Sequence, residues 1–417
     1  MTRTDASPVA DLLIPAAIVT ALLLAFGITQ PPMDGGVGND GAHYLTMADQ
    51  IRVAARPSAP EPFVYRVGTP LVAAAVHLVF GGSLPAAFLF INVAAAFAGA
   101  MLFALWLRRH VSDAVTRHVA LAWYVVSPYA ATRFTFYYPV LADPLAMCFV
   151  IAGLMSLDRL RAEPTVRHAA LIATLTFAGC LVRELVVVIA VATQFAMPWR
   201  DLRRQVAARV LPVAAAVAAL VIVRLVALPE ASDYSASATV SYWLHWKTVP
   251  QMVLGVLFVF GPAAVLVVLG WRDLARRPEW VVAVAAVGAL SWVGGSDTER
   301  ILQFAAPVVL LLIARRVQRL RLAATAGPFV AVAVLQFLAY RVGLAIGGPL
   351  VASPRDVISG VRPLLSALGA HNSFFSFFVS RAWLIAFLAA HAVSAAAILV
   401  VSLTSERKCI TVKPIDV

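Results

Sequence analysis

The chain has 417 residues, of which 61% are hydrophobic and 13% charged, against roughly 25% charged in soluble domains. Many apolar runs reach or approach the ~18 residues that mark a membrane span, and they are continuous, which excludes a barrel with its alternating pattern. The formal charge of +12 does not point to nucleic acid, because cytoplasmic loops of membrane proteins collect Lys and Arg. Three scattered cysteines, Cys148, Cys180 and Cys409, form neither a disulfide framework nor a zinc site.

In chain order, the first run, Leu12 to Ile28, ends in Thr29-Gln30-Pro31-Pro32 with no small-x-small cleavage site, and reads as an uncleaved span. Further apolar runs follow at 67–80, 85–107, 118–131, 142–157, 168–182, 185–198, 210–228, 251–270, 280–294, 301–314, 325–346 and 381–403. Arginine-dense loops sit at 108–118, 158–168, 199–209, 271–279 and 315–322. All five are cytoplasmic only if one run before residue 85 does not cross. Run 67–80 is that run: about fourteen residues give roughly 21 Å of helix against a ~30 Å core. About twelve spans (11–13) remain, with both termini inside. Cytoplasmic segments then hold 21 of the 33 Lys and Arg and outward segments 10, as the positive-inside bias requires. The expected fold is an all-α polytopic bundle in one transmembrane domain, 1–417. It has juxtamembrane helices in the first outward loop, 30–84, a short cytoplasmic tail, 405–417, and no separate soluble domain.

The first outward loop carries Asn39-Asp40-Gly41-Ala42-His43-Tyr44 and later Pro62-Phe63-Val64-Tyr65-Arg66. Gly41 to Arg56 reads as an amphipathic surface helix with Asp40 near its N-cap. The match of residues 36–41 to G-x-G-x-x-G is discounted, since no βαβ unit surrounds it. Arg66 fits either an interfacial position or a phosphate clamp. Three apolar pairs are then broken by polar apices on the same outward side. The first holds Tyr137, Tyr138 and Pro139, a wall suited to a sugar ring, and Asp143-Pro144, which also fits a helix start. The second is Arg183-Glu184 inside an apolar stretch. Ionised groups there cost roughly 2.5–3.5 kcal/mol each on insertion scales. Adjacent residues of a helix do not face each other, so each needs its own partner. The third holds Asp297, Thr298, Glu299 and Arg300. Broken backbone at membrane depth must line a protein-walled cavity, so the four polar segments are expected to converge on one outward-facing site.

Other polar features have plainer readings. Arg224 and Arg341 sit near the outward ends of their helices, and Tyr242, Trp243 and Trp246 form an interfacial belt with Lys247 beside it. Gly343 and Gly347 suit helix packing. The outward segment 349–380 carries an amphipathic stretch, Asp356 to Leu368, and a group of phenylalanines that would wall a lipid tail.

The loop acid at Asp40, Pro62 to Arg66, Tyr137 to Asp143 and Arg183-Glu184 together resemble the GT-C superfamily of integral membrane glycosyltransferases, over the first ~200 residues. The resemblance implies a polyprenyl-phosphate-linked sugar donor and a glycan or lipid-linked acceptor at the outer face of a membrane, the bacterial inner membrane by the positive-inside reading. By position it makes Asp40 the catalytic base, with Asp143 beside it. Arg66, Arg183 and Arg300 become cations on the lipid phosphate. His43, Tyr44, Tyr137, Tyr138, Glu184, Asp297 and Glu299 fall among the substrate contacts. Asn39-Asp40 stands where a metal-binding pair would need two acids. Asp40, His43 and Asp143 could approach a divalent metal, but no ligand spacing demands one. The competing readings are a transporter or lipid flippase, whose ion sites sit at the midplane between inverted repeats, and a glycan polymerase or ligase centred on 349–380.

Overall fold

The computed structural model describes residues 10–29, 32, 36–127, 130–197, 202–230, 236–247, 249–294, 298–320 and 381–411. The expected span at 325–346 and the segment 349–380 lie outside the described residues. Helices dominate: α1 (Ala10–Thr29), α2 (Gly38–Arg52), α3 (Gly68–Phe80), α4 (Leu84–His110), α5 (Ala114–Val126), α6 (Ala131–Tyr137), α7 (Asp143–Ala162), α8 (Val166–Val182), α9 (Val187–Thr193), α10 (Leu202–Val226), α11 (Ala236–Trp246), α12 (Val249–Phe260), α13 (Val265–Leu269), α14 (Trp271–Ala275), α15 (Pro278–Val293), α16 (Thr298–Leu302), α17 (Ala306–Arg319) and α18 (Arg381–Thr411). Among the described residues three stretches are long and apolar enough to cross a membrane: Leu84–His110, Gln205–Val226 and Thr298–Arg319. Several shorter apolar helices accompany them, including Gly68–Phe80 and Val166–Val182.

Three boundaries differ from those expected. The loop helix runs over 38–52 rather than 41–56, so Asp40 lies inside its first turn and Val37 holds the cap position. Run 251–270 is not one helix. It breaks at Gly261, whose φ of 65° is costly for any other residue, and resumes through a 3-10 turn into α13. The run 118–131 ends at Val126, and the chain re-enters as the short α6 before the first apex. Two three-residue strands, β1 (Ser58–Pro60) and β2 (Leu228–Glu230), pair in parallel. They tie the loop between α2 and α3 to the end of α10, where Arg56 donates to the carbonyls of Leu225 and Val226.

Local chemistry sets the helix ends. Ser83 accepts from the Ala86 amide to cap α4, Asp113 from Thr116 to cap α5, and Thr165 from His168 to cap α8. Arg108, Arg109 and His110 close the last turn of α4, where cations meet the negative end of the helix dipole. At the expected cytoplasmic ends of α4, α7 and α15 a polar knot locks three helices. Asp158 accepts from Trp106 (2.6 Å) and Arg277, and pairs with His110 (2.7 Å); the fully buried Glu279 accepts from Arg161 (2.7 Å) and Arg277 (2.6 Å). The Trp106 and Trp280 rings meet edge to face beneath it.

At the opposite end, glycines let two segments close on the bundle. A Cβ on Gly41 would lie 3.2 Å from the Val140 carbonyl oxygen, so α2 rests directly on the apex before α7. A Cβ on Gly68 would lie 2.8 Å from the Val182 amide nitrogen and 2.9 Å from the Leu181 carbonyl carbon, so the start of α3 is pressed against the end of α8. Those neighbours are backbone and cannot rotate away. Gly68→Ala is therefore expected to destabilise the protein by about 1–3 kcal/mol, as overpacking does. Gly288→Ala, whose Cβ meets nothing within 4 Å, should leave stability unchanged or raise it by up to ~1 kcal/mol through helix propensity. Thermal unfolding of the two variants in the same detergent tests the contrast.

Candidate active site

The end of the bundle that α2 and α3 cover is where the polar segments meet. Asp40 projects from the first turn of α2. Arg66 follows a 3-10 turn over Phe63–Tyr65. Asp143 opens α7, Arg183 is the extended residue that ends α8, and Glu184 begins the 3-10 turn leading to α9. Arg300 sits in α16. None of the four segments adjoins another in sequence, yet their ionised groups interlock.

Arg300 holds two carboxylates at once. One of its terminal nitrogens donates to Asp40 at 2.8 Å, while the other reaches Asp143 at 2.7 Å and Nε reaches it at 3.2 Å. Arg183 donates to the same Asp143 and lies over the Phe304 ring, 5.2 Å from its centroid. Arg66 forks onto Glu184 at 2.6 and 2.9 Å, and its third nitrogen donates to the Tyr44 hydroxyl at 3.0 Å. Arg183 and Glu184, adjacent in sequence, thus serve different partners, because the extended backbone at Arg183 turns the two side chains apart. Three guanidiniums and three carboxylates sum to zero, the condition under which buried charge is tolerable.

Burial divides the acids. The Asp143 side chain is 0% exposed, Asp40 23% and Glu184 42%. Burial alone would raise the Asp40 carboxyl, but Arg300 beside it and Arg66 farther off outweigh that and hold it below the ordinary carboxylate range. Asp40 is therefore ionised at neutral pH. The stability its ion pair contributes is complete above about pH 4 and falls away as pH drops through the lowered value. Burial pushes the Tyr44 phenol up, although Arg66 opposes it, so Tyr44 stays protonated beside the cation.

Aromatic groups border the charges. His43 stacks on Phe63 with ring centroids 4.8 Å apart and planes 19° from parallel, and the Arg66 guanidinium lies 5.7 Å from the same ring. Both rings are partly exposed. Tyr138 is buried in the apex before α7, and Glu299 is fully buried, its side chain passing close to Gly255 of α12. Asp297 and the side chain of Tyr137 lie outside the described residues. Among the described residues no three His, Cys, Asp or Glu come together as metal ligands.

One positioning residue was not singled out from the sequence. Asn92 in α4 is fully buried and donates to the carbonyls of Pro139 (2.8 Å) and Leu141 (3.0 Å). Those bonds fix the irregular backbone that delivers Asp143. An amide in the middle of the apolar run 85–107 was the available signal, since a polar side chain in a span needs a partner.

No protein-family model matches the sequence, and no curated protein matches it. Among solved structures the chain is similar to ArnT from Cupriavidus metallidurans, solved bound to undecaprenyl phosphate. That likeness has a TM-score of 0.49 at 13% identity and covers 94% of this chain and 79% of ArnT. It is also similar to the archaeal oligosaccharyltransferase AglB from Archaeoglobus fulgidus, solved with an inhibitory peptide and a dolichol-phosphate. Here the TM-score is 0.46 at 12% identity, over 91% of this chain and 56% of AglB. The chain thus spans little more than half the length of AglB.

The unequal burial of the two aspartates has a measurable consequence. Asp143→Ala strips Arg183 of its carboxylate partner and Arg300 of one of its two, and is expected to cost about 3–5 kcal/mol, as breaking a buried pair does. Asp40→Asn leaves Arg300 on Asp143 and should change stability by less than about 1 kcal/mol. Thermal unfolding at neutral pH separates them; equal shifts would contradict the burial difference.

Proposed function

We propose that the chain is an integral membrane glycosyltransferase of the GT-C type. It moves a sugar from a polyprenyl-phosphate donor to a glycan or lipid-linked acceptor on the outer face of the membrane. One observation carries this reading: four distant segments bring three guanidiniums together with a partly exposed, ionised carboxylate, Asp40, held by a single guanidinium nitrogen, whereas the more exposed Glu184 is taken up by the two-pronged fork of Arg66. Guanidiniums are the groups that fork onto phosphate oxygens. An accessible carboxylate at their edge is what a hydroxyl nucleophile needs.

In this reading Asp40 is the base. It takes the proton of the acceptor hydroxyl as that oxygen bonds to the anomeric carbon of the donor sugar. The bond from that carbon to the phosphate oxygen breaks, and its electron pair leaves with the phosphate. Attack from the face opposite the phosphate gives inversion, through an oxocarbenium-like transition state. The phosphate passes from a singly charged diester to a monoester with one more negative charge, and Arg66, Arg183 and Arg300 stabilise it as that charge grows. Asp143, with no exposed surface, is a positioning residue that aligns Arg183 and Arg300. The stacked His43 and Phe63 rings offer a flat apolar face to a sugar. About twelve spans with both termini in the cytoplasm would put this site at the outer face, with α3 lying along it. A divalent metal remains compatible with Asp40 at the edge, and nothing in the described donor set requires one.

The test is turnover of radiolabelled polyprenyl-phosphate sugars by purified protein, with delipidated membrane glycans as acceptors. Free polyprenyl phosphate should appear together with label on an acceptor. Asp40→Asn should lower that transfer by about 10²–10⁴-fold, the range for loss of a general base, while still binding donor. Label carried into vesicles with the donor intact would identify a transporter instead. Full turnover by the Asn variant would remove Asp40 from the role.

A further inference from the structure

The charge balance of the cluster constrains what happens when a phosphate arrives, and this inference rests on the transferase reading above. At rest each guanidinium already has a carboxylate, and the six groups cancel. A phosphate monoester entering such a site adds two negative charges among buried groups, where unpaired charge costs several kcal/mol. Something must give way. Asp143 is held by hydrogen bonds from both Arg183 and Arg300 and has no exposed surface. Glu184 is held by the two-pronged fork of Arg66. Asp40 is held through one oxygen by one nitrogen of Arg300, and its side chain reaches the open side of the site. It is the weakest link of the three.

We propose that Arg300 is exchanged between Asp40 and the lipid phosphate, and that the exchange is coupled to a proton on Asp40. With phosphate absent, Arg300 pairs with Asp40 and keeps it ionised. With the monoester present, the nitrogen of Arg300 that held Asp40 turns to a phosphate oxygen while its other two donors stay on Asp143. Asp40, left beside Asp143 and the incoming dianion, takes up a proton. The charged and titratable groups facing Asp40 are Arg300 from α16, Arg66 from the turn before α3, Asp143 from α7 and Tyr44 from its own helix. Arg66 also favours ionised Asp40, but from farther off and while forked onto Glu184, so its pull is weaker than that of the Arg300 it would have to replace.

During turnover the same proton comes from the acceptor hydroxyl. Deprotonation of the acceptor by Asp40 therefore releases Arg300 at the moment the phosphate gains its extra charge. Proton and cation change places, and the net charge of the site plus substrate is constant through the step. Product release then requires Asp40 to lose its proton and recapture Arg300.

The resting enzyme can be examined with undecaprenyl phosphate alone, without an acceptor. Binding is measured by calorimetry from pH 7.5 to 8.5, where the monoester, with its second pKa near 6, is a dianion. Wild type should take up about one proton per lipid, read from binding heats in buffers of different ionisation enthalpy, and its Kd should rise about tenfold per pH unit. Asp40→Asn keeps the shape, cannot bind the proton and no longer competes for Arg300. It should take up none, show a flat pH dependence, and bind undecaprenyl phosphate at least tenfold tighter than wild type at pH 8.5. Misfolding cannot tighten binding, and Asp40→Ala serves if the Asn variant is unstable. Asp49→Asn, on the exposed side of the same helix and paired with Arg52, should behave as wild type. Wild-type binding without proton uptake, or an Asp40→Asn variant that binds no tighter, overturns the exchange and leaves the transferase reading standing. No binding of undecaprenyl phosphate by wild type at any pH overturns both.

Discussion

Arg300 cannot be a buried cation without Asp40 and Asp143, and those acids cannot be ionised at the end of an apolar bundle without it. That mutual need governs the half of the molecule that α2 and α3 cover. Each charge lies on a different segment, so satisfying the charges fixes where the segments go: α2 over the apex before α7, α16 beneath both, and the break between α8 and α9 turned inward. Removing one partner from such a set costs far more than the pair contributes over a hydrophobic replacement. The cluster therefore specifies the arrangement of the site more than it stabilises the fold.

Stability comes instead from the apolar contacts of the helices, while the knot at the far end fixes how α4, α7 and α15 sit against one another. α7 links the two ends. It begins at Asp143 and reaches Asp158 and Arg161 about 25 Å later. Its C-terminal end is gripped by Trp106, His110 and Arg277, and Glu279 accepts from Arg161. Its N-terminal end is held by Asn92 through the backbone that precedes it. A helix clamped at both ends presents Asp143 at a set height, and Arg183 and Arg300 align on it. The close approaches at Gly41 and Gly68 then bring the mobile-looking part of the sequence, a polar loop, against this rigid frame.

Much of this was legible in the residues themselves. Asp40, Arg66, Asp143, Arg183 and Arg300 stand out because charge inside an apolar chain demands a partner, and parity of the runs put all of them on one side. That Arg183 and Glu184 would face different partners was expected from helix geometry, although it is the extended backbone at Arg183 that parts them. What was not legible depends on tertiary distance. The pairing of Arg300 with two acids at once, and the closeness that only Gly41 and Gly68 permit, involve residues about a hundred or more positions apart. Asn92 escaped notice because one amide in a span looks incidental until the carbonyls it serves are seen. The helix start at Gly38 rather than Gly41 was missed because two glycines and an asparagine argue locally for a loop. Burial of Tyr44, Met47 and Ala48 against the bundle overrides that local preference. The break at Gly261 was hidden because the run is equally apolar on both sides of it.

The two aspartates show why sequence position alone does not assign a catalytic role. Both are acids in polar apices on one side of the chain, and both contact Arg300. They differ in surroundings: Asp143 is enclosed between two arginines, while Asp40 has one partner and an open flank. A group that must give up its partner to accept a proton, and recover it on every cycle, works only if that partner is held loosely. Arg300 meets this condition because Asp143 anchors it when Asp40 lets go. In the proposed mechanism the buried acid thus makes the exposed one usable as a base, and the proton passed to Asp40 keeps the charge of site and substrate level through the transfer step.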